Sequence, residues 1–246
     1  MGQWANGRMG EWGEMRQWEL MRLGFLRVLA VLVFLALASP ASAQWYGALY
    51  MGANTTRPAD VTVKGDGYDL TFPGVNFEAQ PFKSPQYYGW RLGRFLTDTR
   101  RVGLELEFIH LKVIANPEQL QPDVQRYQMT HGLNFLVANV TSRIPLGRSA
   151  YGDAPFALVS RLGGGITVPH AETTVRDASL ERYEYAGLGA HAALGLDVRL
   201  KGRLSLLTEY KLTYARPRIT TANNGHGQTT TLSHHIAIGV AFGLSR

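Results

Sequence analysis

With 246 residues and no cysteine, the chain is long enough for a sizeable folded domain but cannot draw on disulfides, thiolate metal sites or a cysteine nucleophile. Its formal charge of +6 fits an anionic partner. No nucleophile elbow, Walker loop or Gly-rich dinucleotide fingerprint occurs, so the common hydrolase, NTPase and dehydrogenase signatures are excluded.

In chain order, residues 1–20 are rich in Gly and Trp and mixed in charge, unlike a secretion signal, and read as an extension ahead of a true start at Met21 or Met15. Residues 21–43 read as a cleaved Sec signal peptide. Arg22 and Arg27 are its basic flank, Val28 to Ala38 its apolar core and Ala41-Ser42-Ala43 its A-x-A cleavage site. That core is too short to span a bilayer as a helix, which needs about 20 residues. The mature domain is therefore 44–246, with no linker dividing it. An exported chain rarely meets nucleic acid, so none is expected as a partner.

From Gln44 onward the sequence falls into strand-length segments with apolar residues at every second position. Residues 186–200 are the clearest. Ala186, Leu188, Ala190, Ala192, Leu194, Leu196, Val198 and Leu200 take one face, while Gly187, Gly189, His191, Gly195, Asp197 and Arg199 take the other. The pattern predicts eight strands at 45–55, 86–97, 101–114, 127–143, 155–168, 182–200, 203–216 and 229–243. Further apolar sets are Val102, Leu104, Leu106 and Phe108; Phe156, Leu158, Leu162 and Ile166; Leu204, Leu206, Tyr210, Leu212 and Tyr214; and Ile236, Ile238, Val240 and Phe242. Opposite them fall Glu105, Glu107, Arg161, Asp197, Arg199, Glu209 and Lys211.

A soluble sandwich or lipocalin-like barrel would turn the apolar set inward and would need large apolar residues there. Here the set opposite the Ala/Leu face is Gly with isolated charges, which suits a lumen. The links 98–100, 144–154 and 201–202 are short or fairly short. Those at 56–85, 115–126, 169–181 and 217–228 tend to be longer and richer in Pro, Asn, Asp and Gly, as expected of periplasmic turns and extracellular loops. Trp45, Tyr46, Tyr87, Tyr88, Trp90, Tyr183, Tyr185 and Tyr214 gather toward strand ends, as interfacial girdles do. The expected fold is all-β: an eight-stranded antiparallel transmembrane barrel in the outer membrane, where lipid surrounds it and lipopolysaccharide is the natural anionic partner.

On that topology all seven histidines fall in the outer half. His110, with Lys112, and His170 lie at the upper ends of their strands, His131, His234 and His235 at upper starts, His226 in the last loop, and His191 near mid-strand with Glu209 on the neighbouring strand. Imidazoles meeting Glu181 or Glu184 could hold a divalent metal or move protons. Period-two phase nevertheless sets His110 and Lys112 on the face of Phe108. Glu209 and Lys211 suit a lumen ion pair with neighbours such as Arg199. The loop cations Arg57, Lys64, Lys83, Arg126, Arg176, Arg182, Arg216 and Arg218 suit either phosphate contacts or a solvated face.

Three segments bear a resemblance. Phe72-Pro73-Gly74-Val75-Asn76-Phe77 with Ser84-Pro85-Gln86-Tyr87-Tyr88-Gly89-Trp90-Arg91, then Gly103 to Val113, then Met129-Thr130-His131-Gly132-Leu133-Asn134 resemble the rhizobial lipid A oxidase family. The match covers roughly 70–140. The rest resembles small OmpA-like or OmpW-like barrels generically. Phe72, Asn76, Gln86, Ile109 and His131 stand where that family has Trp, Ser, Pro, Thr and Asp. The resemblance implies an eight-stranded barrel that oxidises the proximal glucosamine of lipid A to an aminogluconate, with molecular oxygen as co-substrate. Tyr87, Tyr88, Arg91, His110, Lys112 and Asn134 keep the motif.

The expectation is a barrel that binds or modifies lipopolysaccharide at its outer rim. His110, Lys112 and His131 are the candidate proton-transfer or metal-binding group, and Tyr87, Tyr88, Arg91 and Asn134 the substrate-binding set. The alternative is a non-enzymatic barrel serving adhesion, envelope integrity or porin-like passage of small solutes. At eight strands a lumen holds little beyond its own side chains, so a broad pore is not expected.

Overall fold

The computed structural model describes residues 44–96, 99–147 and 154–244. The expected extension and signal peptide lie outside these residues. Eight strands form the wall: β1 (Trp45–Thr56), β2 (Tyr88–Phe95), β3 (Val102–His110), β4 (Leu133–Leu146), β5 (Phe156–Val175), β6 (Gly187–Lys201), β7 (Leu204–Ala215) and β8 (Thr231–Gly243). Each pairs antiparallel with the next, and β8 returns to β1 with Tyr46 opposite Gly243 and Thr56 opposite Ser233. Closure leaves no edge strand.

The alternation read in the sequence appears as inverted burial. Leu49, Met51, Val140, Leu162, Leu194, Ile236 and Ile238 are exposed on the outside, whereas Arg91, Glu105, Glu107, Arg161, Glu209 and Lys211 are buried inside. An apolar exterior around a charged interior is stable only where the surroundings are lipid, so this is a transmembrane β-barrel. The outward set of β5, Phe156 to Val168, spans about 30 Å at 3.3 Å per residue and 40° tilt, close to a bilayer's hydrocarbon thickness. The narrow lumen interleaves large and small side chains. A Cβ on Gly89 would stand 2.1 Å from the Tyr50 hydroxyl, and one on Gly93 2.4 Å from the Tyr46 ring.

The strand termini Phe95 and Val102, Leu146 and Phe156, and Lys201 and Leu204 share one end of the wall. At the other end the segments expected as loops are folded. Strands 59–65, 68–75, 218–221 and 225–229 form one sheet. Strands 77–78, 113–115, 124–129 and 178–183 join the upper part of β5 in another. Val61, Val63, Val75, Val113, Leu120, Val124, Met129, Val175 and Ile219 belong to an apolar core above the membrane. The expected third and fourth strands are corrected accordingly. Residues 113–115 and 124–129 leave the wall for the upper sheet, and β4 begins at Leu133, after the turn at Gly132.

Candidate functional site at the long-loop rim

The lumen is filled by one ion network. Arg91 donates to Glu107 at 2.9 Å and to both oxygens of Glu209 at 3.2 and 2.9 Å. Arg161 binds Glu105 at 2.8 Å and also Glu209, while Lys211 binds Glu107 and, at 2.9 Å, Glu209. Three cations thus balance three carboxylates, all with side chains at most 4% exposed. Tyr50 and Asn139 each donate to Glu107 at 2.7 Å, and His191 meets Asn139 at 2.9 Å. The expected internal ion pair is present, although Arg91 and Arg161 hold Glu209 where Arg199 was expected; Glu209 lies on the strand next to that of His191, as expected, opposite Gly195. Below the network an arginine-rich cavity of about 150 Å³ includes Arg100, Arg143, Arg199 and Arg203 in its lining. The network separates that cavity from the rim.

The rim holds a second cluster, on the outward face of β5. Period two carries the lipid-facing phase of Ile166 and Val168 up to His170 and Glu172. His131, from the turn before β4, joins them. Its Nδ1 lies 3.2 Å from Glu172 Oε1, and the Nδ1 of His170 lies 3.4 Å from the same oxygen. The imidazoles meet edge to face at 4.8 Å, and His170 packs on Tyr183 at 4.5 Å. Thr130 donates its hydroxyl to Oε1 as well, while Arg126 and Gln128 hold Oε2, the latter at 2.9 Å. Burial, with His131 alongside, pushes His170 below the usual imidazole range. His170 is therefore neutral near pH 7, the state in which an imidazole accepts a proton or binds a metal.

The residues singled out in the sequence divide among three places. His110, Asn134 and Tyr88 come together beneath the cluster, with His110 Nδ1 2.9 Å from Asn134 Oδ1 and its ring stacked on Tyr88 at 4.9 Å. Gly132, at φ +101°, lets the turn close over them, since a Cβ there would lie 2.3 Å from His110 Nδ1. Asn134 also donates to the carbonyl of Val168 at 3.1 Å, tying the turn to β5. Lys112 stands apart, donating to the carbonyls of Lys83 and Ser84 at 2.9 and 3.1 Å, and burial followed by the nearby Lys83 lowers its pKa. Tyr87 is buried against Tyr50 and His235, and Arg91 lies in the lumen network. Of the aromatic set expected as girdles, Tyr87 and Tyr46 point inward, the latter to Glu105.

The carboxylate expected to meet the histidines is also corrected. Glu181 pairs with Arg126, and Glu184 accepts from the backbone N–H and hydroxyl of Thr220, both at 2.7 Å. Glu172 takes the place expected for them. Its signal was legible as His170-x-Glu172, two residues that any strand puts on one face. Four of the eight loop cations have acidic neighbours: Lys64 with Asp69, Arg126 with Glu172 and Glu181, Arg176 with Asp123 and Arg182 with Glu184.

No family model matches the chain, and no curated protein matches it. Solved structures with a similar fold include Neisserial surface protein A, at 8% identity over 82% of this chain and 97% of that one, with a TM-score of 0.40. The outer membrane protein OprG from Pseudomonas aeruginosa is 12% identical over 81% and 94%, with a TM-score of 0.42. Ail of Yersinia pestis, in complex with the heparin analogue sucrose octasulfate, is 12% identical over 79% and 97%, with a TM-score of 0.31.

Proposed function

We propose that the chain is an outer-membrane barrel whose working surface is the long-loop rim, where it oxidises the lipid A headgroup of lipopolysaccharide with molecular oxygen. One observation carries this reading: His131, His170 and Glu172 converge on the outward face of the wall, directly above the lipid-facing strip that ends at Val168. At 3.3 Å per residue and 40° tilt, His170 lies about 5 Å and Glu172 about 10 Å above Val168, the depth of lipid headgroups. A site for a soluble solute would open into the lumen or upward, and the lumen is closed by its own ion network.

In this reading the anomeric carbon of the proximal glucosamine, as the free hemiacetal, gives two electrons and two protons to dioxygen, which leaves as hydrogen peroxide. Water then opens the lactone to the aminogluconate, so the lipid gains one oxygen. His170, with His131 and Glu172, presents nitrogen and oxygen lone pairs to the headgroup layer. His110 and Lys112 act as positioning residues, the first docking the 131–134 turn through Asn134 and the second fixing the 83–84 backbone.

Mass spectrometry of lipid A from cells with and without the gene, each grown with and without oxygen, tests this. A lipid A species heavier by one oxygen, present only with both gene and oxygen, is the expected result. An unchanged spectrum with the barrel in the outer membrane would overturn the oxidase reading in favour of a structural or adhesive barrel.

A further inference from the structure

Glu172 Oε1 receives more than a carboxylate oxygen in a hydrogen-bond network takes. The Thr130 hydroxyl and the Nδ1 atoms of His131 and His170 all point at this one atom, which has two lone pairs. If both imidazoles donate from Nδ1, three donors compete for the two lone pairs of Oε1, and the Thr130 hydroxyl, 3.3 Å from His131 Nδ1, is the other partner in reach. A shared cation removes the conflict, because each Nδ1 then presents a lone pair and Oε1 a negative charge to the same point.

The spacing fits such an ion. One ligand atom from each of His131, His170 and Glu172 lies within 4.8 Å of the other two. The distances from Oε1 to the two nitrogens are 3.2 and 3.4 Å. A tetrahedral site with bonds of about 2.1 Å has edges of about 3.4 Å, so two edges are already the right length. The second carboxylate oxygen is held by Arg126 and Gln128, which fixes the plane of the ligand from outside, as metal ligands usually require. Two imidazoles and one carboxylate select a first-row transition cation over magnesium or calcium, which prefer all-oxygen sites.

The geometry points to a divalent first-row transition cation bound by His131, His170 and Glu172. This site deepens the reading of the rim as a working surface and rests on it for its role, while the binding itself depends only on the three side chains. With the His131 side chain 57% exposed, the ion keeps coordination positions open toward the headgroup layer. A phosphate or sugar oxygen of an outer-leaflet lipid is the ligand class that reaches them. Three protein ligands with open positions form the arrangement of a reactive rather than a structural metal.

The test uses the untagged mature chain, folded in detergent micelles, stripped with chelator and titrated with Co2+ or Zn2+ by calorimetry, with the Co2+ visible spectrum recorded in parallel. The wild type should bind one cation and show an imidazole-ligated cobalt spectrum. His170→Ala and Glu172→Gln should weaken binding by roughly 100-fold or more. His234→Ala, on a wall histidine that contacts Tyr210, should bind as the wild type does. Heat-dependent gel mobility confirms that each variant is a closed barrel. A folded wild type that binds no cation, or variants that bind equally well, would overturn the site. The two readings fail separately. Cation binding with an unchanged lipid A spectrum sinks the lipid oxidation alone, and a changed spectrum from a chain that binds no cation sinks the metal alone.

Discussion

Replacing Arg91 by Leu probes whether the lumen network holds the barrel together. The substitution deletes three hydrogen bonds of 2.9 to 3.2 Å, to Glu107 and Glu209, and a 3.5 Å contact with Glu105. Three cations facing three carboxylates become two facing three, in a space where these side chains are fully or almost fully buried. Removing one partner of a buried ion pair costs about 3–5 kcal/mol, chiefly through the charge left behind. Arg161 and Lys211 still touch Glu209, and Lys211 still touches Glu107, so the loss belongs near the lower end, about 3 kcal/mol. With a urea dependence of about 1–3 kcal/mol per molar, the unfolding midpoint in lipid vesicles should fall by about 1–3 M. Adding Glu209→Gln restores two cations against two carboxylates. The double variant should therefore be more stable than the sum of the two single losses by about 0.5–3 kcal/mol. An unmoved midpoint for Arg91→Leu, or strict additivity in the double variant, would refute the argument that balanced charge holds the interior.

Two further outcomes follow from the wall and the rim. A Cβ on Gly165 would sit 1.9 Å from the Leu136 carbonyl oxygen on the neighbouring strand, whereas on Gly164 it would meet only the Gly189 carbonyl at 3.2 Å. Gly165→Ala should consequently yield no heat-shifted barrel band, and Gly164→Ala should fold with a loss of about 1 kcal/mol; equal behaviour of the two would contradict the close strand contact. Lys112→Ala strips the carbonyls of Lys83 and Ser84 of their donor, at a cost of about 1–3 kcal/mol. Trypsin applied to intact cells should then cut after the exposed Lys83 faster than in the wild type, and an unchanged digestion rate would mean that Lys112 does not hold that segment.

The wall was legible because membrane strands repeat one instruction every two residues. The residues assigned to the outer and lumen faces of β3, β5, β6, β7 and β8 take those faces in the structure, except Ala186, which precedes β6 and is buried in the apolar core. The rim was not, for a physical reason. In 59–65, Val61 and Val63 alternate as they do in the wall, but the segment is short, polar between them and flanked by turn residues, so it reads as loop. Its burial depends on partners distant in the chain, such as 225–229. Strand register, likewise unreadable from one strand, decided which carboxylate met the histidines. His131 and His170 were visible as rim residues, but only the pairing of the upper β5 with 124–129 places Thr130, His131 and Arg126 around Glu172.

The two interiors of this chain have opposite chemistry, a charged one inside lipid and an apolar one above it. The strands that build the apolar core lie between wall strands in sequence, so each is anchored at both ends to the wall. The upper core therefore rests on the wall, whose strand pairing holds its segments side by side. Lesions in the upper core should accordingly leave normal amounts of inserted protein with an unbuilt surface. A survey that scored only abundance in the envelope would pass them as silent.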